Sequence, residues 1–304
     1  LPTPSGSLSA ALLAEDLDAL IADIESLGDP ARGELVYRRK SVACTRCHAV
    51  GSAGPTIGPN LVATGAAAKT KYLIQSILQP DAAIAEHYEA RTFLLVSGKV
   101  QTGIVAFRNE KEVVVHDPAQ LGKEIRLAVE DIEDEFPAKS LMPSGLADQL
   151  QSRSEFLDLV KFISVLGRSG DFANDESPVI RKWRVVATLE SSGPPNDDAD
   201  WSSAYSKVSG ELPSEDYPEG KIVFARGFVN VLVAGSARLQ INSADGLALW
   251  VDGKPIGDLA APISLDKGRH SFTFRLDPVR RQRGLRVELE AIDKSVRLQP
   301  EGGL

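Results

Sequence analysis

The pentapeptide Cys44-Thr45-Arg46-Cys47-His48 holds both of the chain's cysteines and one of its four histidines. A C-x-x-C-H run is the attachment pattern of a c-type haem. Its two thiols, one helical turn apart, take the two vinyl groups of a single macrocycle, and the adjacent imidazole takes the iron. Other uses of the pair are short of parts. A disulfide framework needs more cysteines, and a thioredoxin-like site needs a βαβ context where this region is rich in Gly and Pro. A tetrahedral zinc site needs four ligands, and only His87, His116 and His270 remain as nitrogen donors. The residues therefore favour one covalent haem c, bound through Cys44 and Cys47 with His48 on the iron.

A metal-bound imidazole needs its second ring nitrogen held by an acceptor. Gly58-Pro59-Asn60 is well placed for this, because Pro59 has no N–H and its carbonyl is a good acceptor for His48. The sixth iron position could fall to Met142, His87, His116 or nothing. Met142 lies in Ser140-Leu141-Met142-Pro143-Ser144-Gly145, a loop stiffened by proline. A lone methionine is ordinarily core filler, but this chain has no other methionine, and Met142 is the preferred ligand with His87 next. His116 precedes Asp117-Pro118 at a strand end, and His270 reads as a strand residue. A His/Met set is that of an electron carrier and raises the iron potential. No acid–base pair or nucleophile constellation stands beside the motif in sequence, so the expectation is a carrier and not an enzyme. A labile Met142 would instead suit a haem enzyme or a gas or peroxide sensor.

Around these residues the periodicity changes several times. Leu8, Leu12, Leu17, Leu20, Ile21, Ile24 and Leu27 recur at helical spacing, and Gly28 ends that N-terminal helical segment, 1–28. Short helices are expected near 31–40 and over 69–78, the latter stopped by Pro80. Residues 91–96, 99–107, 111–116 and 124–129 alternate as strands of an antiparallel meander, with the acidic run Glu130–Glu135 as a solvated edge. Helical period returns at 152–166 behind the capping box Ser152/Glu155. The Gly-, Asn- and Pro-bearing stretch 168–178 reads as a linker. Short alternating segments from 179 to 304 then argue an all-β sandwich.

At 304 residues the chain has room for two domains. A net charge of −8 argues against nucleic acid or an anionic membrane as partner. No run reaches the roughly 18 apolar residues of a membrane span. The first residue, Leu1, is compatible with processing or with the end of a larger chain.

Residues 29–167 resemble the haem-binding cytochrome c domain of planctomycete and verrucomicrobial proteins. The resemblance rests on Gly28-Asp29-Pro30-Ala31-Arg32-Gly33, the CTRCH motif, Ile57-Gly58-Pro59-Asn60-Leu61 and Ile77-Leu78-Gln79-Pro80-Asp81. It continues through Ser97-Gly98, Thr102-Gly103, Asp131-Ile132 and Ser140-Leu141-Met142-Pro143-Ser144-Gly145-Leu146. It implies a mainly α cytochrome c fold with a β insertion at about 90–136. It also implies haem c on Cys44 and Cys47 with His48 and Met142 axial, and a redox partner protein or an upstream dehydrogenase domain; the C-x-x-C-H motif itself implies a periplasmic or otherwise extracytoplasmic setting. Residues 179–304 carry Ser243-Ala244-Asp245-Gly246 through Trp250-Val251-Asp252-Gly253 and Leu265-Asp266-Lys267-Gly268. That pattern resembles the protective-antigen-type β-sandwich associated with glycan binding. Such members use neighbouring aspartates for calcium, and the nearest equivalent here is Asp197-Asp198. Trp183, Trp201 and Trp250 are candidates for stacking on sugars, and Arg280, Arg281 and Arg283 for docking an acidic redox partner. The function expected is thus a monohaem electron-transfer module fused to a β-sandwich, the further alternative being a glycan-binding module with an accessory haem.

Overall fold

The computed structural model describes residues 6–302 apart from 56, 83, 118–119, 121–122, 169, 174–176, 190–192 and 282. The chain divides into two compact units, Leu1–Val50 with Gly54–Ala173, and Gly51–Ala53 with Asn174–Leu304. Part of the expected linker, residues 169 and 174–176, lies outside the described residues, as does Pro118.

The first unit opens with α1 (Leu8–Leu13), α2 (Leu17–Leu27) and α3 (Pro30–Arg38). Side chains of Ser7, Asp16 and Asp29 accept from the first-turn amides of these helices, and Pro30 adds the fixed φ suited to a helix start. After Cys44–His48 come α4 (Leu61–Ala67), capped by Asn60, and α5 (Thr70–Leu78). The last helix, α6 (Arg153–Val165), is capped by Ser152, and its Phe156, Val160 and Phe162 are fully buried. It is the helix against which α2, α3, α4 and α5 all pack. Two glycines permit that approach. A Cβ at Gly33 would lie 2.0 Å from the Asp158 carbonyl oxygen, and one at Gly65 2.1 Å from that of Ile163. Either contact is far inside van der Waals range, so α3 and α4 press backbone against α6.

Between α5 and α6 runs a five-stranded antiparallel sheet of β1 (Ala90–Leu95), β2 (Val100–Arg108), β3 (Glu112–Asp117), β4 (Lys123–Ala128) and β5 (Ile132–Pro137). The spatial order is β4-β3-β2-β1-β5. One face gathers Phe93, Val113, Val115 and Leu127 into a small core. The first and last strands are neighbours: Arg91 pairs with Pro137, and the Ala138 amide donates to the Ala90 carbonyl at 2.9 Å.

The second unit comprises β6 (Lys182–Thr188), β7 (Ser202–Tyr205), β8 (Ile222–Val233), β9 (Gly235–Ile241), β10 (Leu247–Val251), β11 (Lys254–Ile256), β12 (Ile263–Leu265), β13 (Gly268–Leu276), β14 (Val287–Ala291) and β15 (Arg297–Pro300). A seven-stranded sheet runs β11-β10-β13-β8-β6-β7 with β15 also on β8, and a three-stranded sheet runs β12-β9-β14. Both contribute to one apolar core, with Trp183, Val223, Phe272 and Phe274 from the first and Leu239, Val287 and Leu289 from the second. Alternating apolar side chains thus face inward from two layers.

The expectation of a mainly α cytochrome c fold with a β insertion is overturned. Strand outweighs helix, about 34% to 25%, and is arranged in three antiparallel sheets. The physical reason lies in lengths. The longest helix has 13 residues, and the expected four-strand meander has a fifth strand. The acidic run read as a solvated edge continues into β5, where Glu135 is held by Arg91 and Arg108.

Candidate functional site

The chain leaves α3 in extended form and reverses at Ala43, whose φ of 62° is left-handed. That conformation costs a residue with a Cβ roughly 1–2 kcal/mol. It turns the chain directly into the short 3-10 helix Cys44–Arg46, where the amides of Cys47 and His48 both donate to the Cys44 carbonyl, at 3.2 and 3.0 Å. Both thiols and the imidazole therefore leave one turn. The cysteines are unbridged. Burial pushes the Cys44 thiol up to about 11; it also raises Cys47, against the opposing charge of Arg46. At neutral pH both stay protonated, unlike the depressed thiols of disulfide-exchange sites.

His48 is fixed by its surroundings on three sides. Its Nδ1 lies 2.8 Å from the Pro59 carbonyl oxygen. A carbonyl only accepts, so Nδ1 carries the proton and Nε2 keeps its lone pair. Burial holds this imidazole below its usual pKa, with the Pro59 carbonyl acting in the other direction, and the neutral form is favoured. Gly58 lies against the ring: a Cβ there would sit 2.7 Å from Cε1 and 2.9 Å from Nδ1. The loop is strapped by Gly58 N to Cys47 O at 2.7 Å and Leu61 N to Ala49 O at 2.8 Å. Behind it the Tyr37 hydroxyl donates to the His48 carbonyl at 2.8 Å.

The structure brings Cys44, Cys47, His48 and Pro59 together on consecutive turns. Met142 is half-buried on a separate loop of the same unit. Its amide donates to Ser140 Oγ at 3.2 Å, and the Ser140 amide donates to Asp81 Oδ1 at 2.9 Å. The other histidines have different surroundings. The His87 side chain is 87% exposed, beside Glu86. His116 stands on β3 with Glu124 at 3.8 Å. His270, in the second unit, has Asp252 and the Asp266 carbonyl on its two nitrogens.

Among the described residues no three His, Cys, Asp or Glu side chains gather into a cage for a bare metal ion. A haem brings four nitrogen ligands of its own and asks the protein for one or two more. Asp197, one of the calcium candidates, pairs instead with the buried Arg226. That guanidinium lies 4.4 Å from the Trp201 ring centroid, which accounts for one face of Trp201. Trp183 is buried with its Nε1 on Ser206, and Trp250 lies against Phe224. Arg281 is buried and bonded to Ser243 O, Asn242 Oδ1 and Gly284 O, so it braces a loop and cannot be part of an exposed docking patch.

No family model and no curated protein matches the chain. Among solved structures, the crystal structure of the PA14 domain of the MpAFP antifreeze protein is similar over 38% of this chain and 85% of its own, at 13% identity and a TM-score of 0.23. A likeness at that level carries no argument about fold or ligand. The geometry has to carry the reading.

Sequence reasoning did not assign the contacts that Gly58 and Tyr37 make with His48, or those of Asp81 and Ser140 on the Met142 loop. Gly58 had a signal, since a glycine before the acceptor proline leaves room for a ring. Asp81 acts on Ser140, 59 positions away, and nothing local marks it; Tyr37 and Ser140 act on near neighbours, His48 and Met142, through bonds that no sequence pattern announces.

Proposed function

We propose that this chain carries single electrons through one haem c held covalently by Cys44 and Cys47, with His48 and Met142 as axial ligands, in an extracytoplasmic compartment. The observation that carries the reading is the His48 environment: Nδ1 committed to Pro59 O at 2.8 Å, the ring face against Gly58, and both thiols on the same turn. Those residues fit the group. When bound, a haem supplies a one-electron iron couple. The chain's own residues then hold rather than react. Pro59 fixes the tautomer of His48, Gly58 and Tyr37 fix the orientation of its ring and backbone, and the two thiols anchor one edge. The partners that follow are redox proteins or a dehydrogenase domain. Among the described residues no helix is long and apolar enough to cross a membrane.

The test is the full chain produced in cells that attach haem outside the cytoplasm. The expected product keeps its colour on a denaturing gel. It shows a low-spin ferric spectrum with the long-wavelength iron–thioether band, which Met142→Ala abolishes. Its single reversible one-electron wave is insensitive to carbon monoxide. A colourless chain, or a high-spin spectrum identical in Met142→Ala, would overturn the assignment.

A further inference from the structure

The loop that carries Met142 is gripped at both ends by carboxylates from outside the haem motif. Upstream, Asp81 follows α5 and accepts from the Ser140 amide at 2.9 Å, while Ser140 Oγ in turn accepts from Met142 N at 3.2 Å. Downstream, the chain turns left-handed at Gly145, φ 78°, into a short 3-10 helix, Leu146–Gln149. There Asp148 N donates to Gly145 O at 3.0 Å, and Asp148 Oδ1 accepts from the Ser9 amide in the first turn of α1 at 2.7 Å. The stretch just beyond is pinned as well. Arg153 reaches Glu15 and Asp23 of the N-terminal segment at 2.7 Å each, and Arg39, in the arm leading to Cys44, grips Glu155. A mere packing helix needs none of these directed bonds. Together they hold Ser140, two residues before Met142, to Asp81, and the stretch from Asp148 to Arg153 after it to the N-terminal segment.

We propose that Asp81 and Asp148 form a two-point clamp on the Met142 loop, and that α1 is the anchor of its downstream jaw. Both are positioning residues: each acts by fixing the backbone from which the thioether projects. This rests on the reading of Met142 as the axial ligand. Breaking either jaw gives the loop alternative conformations and lets the thioether leave the iron more often, as losing one helix cap shifts a local equilibrium by about fivefold.

The experiment uses the full, haem-loaded chain as wild type, Met142→Ala, Asp81→Ala, Asp148→Ala and Asp148→Asn. Asparagine keeps an acceptor oxygen for the Ser9 amide and is the rescue variant. The expected result is a weakened iron–thioether band, a lowered reduction potential and newly acquired carbon monoxide binding in both Asp→Ala variants. Asp148→Asn stays close to wild type. Should either Asp→Ala variant lose its fold by circular dichroism, Ser140→Ala removes only the hydroxyl that holds Met142 N and carries the same expectation. If wild type shows the band, Met142→Ala loses it, and the folded clamp variants match wild type in band, potential and carbon monoxide, the clamp is overturned while the ligand assignment stands. A wild type lacking the band overturns both.

Discussion

A histidine whose two ring nitrogens both face pure acceptors satisfies them only as an imidazolium. His270 is such a residue, with Nδ1 2.6 Å from Asp252 Oδ2 and Nε2 2.8 Å from the Asp266 carbonyl. Burial opposes the charge, but the bonds to Asp252 and Asp266 outweigh it and raise the pKa. Its stabilising contribution is therefore complete below the unfolded value of about 6.5 and is lost as pH rises through the higher folded value. Urea midpoints of the second unit should fall over that interval in wild type and stay flat in His270→Gln; an unchanged slope in the variant would refute the imidazolium. The contrast with His48 is instructive, since its single acceptor and its burial keep it neutral. At this scale the sequence was legible where chemistry is contiguous. His48 of the C-x-x-C-H run and the carbonyl of Pro59 are 11 positions apart. It was illegible where the partner is remote, as for Asp148 and Ser9, 139 positions apart.

Among the elements, β5 shows why composition misleads. Its sequence is Ile132-Glu133-Asp134-Glu135-Phe136-Pro137, and charge density suggests solvated coil. It is nonetheless the edge strand of the sheet, and Glu135 lies across from Phe93 on β1. Arg91 and Arg108 close on its carboxylate at 2.7 and 2.6 Å, and the Arg108 guanidinium also stands 5.9 Å from the Phe93 ring. Burial alone would raise the Glu135 pKa, yet the two guanidiniums hold it below the usual range. The sign is opposite to that of His270: the support is present above the unfolded value of about 4.3 and is lost as pH falls through the folded value. Glu135→Gln should cost the meander about 1 kcal/mol, discounted for partial exposure, and speed amide exchange in β5 about fivefold at neutral pH. Wild-type protection in the variant would mean that the backbone ladder alone holds the edge. Single elements were easier to read than their pairing. Ser152 and Glu155 announce α6 within four residues, whereas the seven-stranded sheet depends on pairings such as Arg226 with Thr273, 47 positions apart. The expectation of a mainly α first domain failed because its helices are short and its meander forms a full five-stranded sheet.

The two units of the whole molecule are built around separate apolar cores. Phe156 and Phe162 of α6 anchor one, and Trp183 with Phe272 and Phe274 anchors the other. Separate cores predict two calorimetric transitions. Trp183→Ala, which empties a fully buried site, should cost about 3–5 kcal/mol and lower only one of them; a single transition that moves as a whole would show the cores to be coupled. The meander of the first unit has a different consequence. It starts and finishes at one place, since β1 and β5 are side by side and Ala138 closes back onto Ala90. For a flexible tether each doubling of length adds only about 0.6 kcal/mol of closure entropy. A folded sheet whose ends already meet adds less still. Topologically, the path from Glu89 to Lys139 is a single short step with five strands hung from it. The meander is therefore a detachable passenger on the route from His48 to Met142: it can lengthen, shrink or be excised without altering how far one must travel to reach the other.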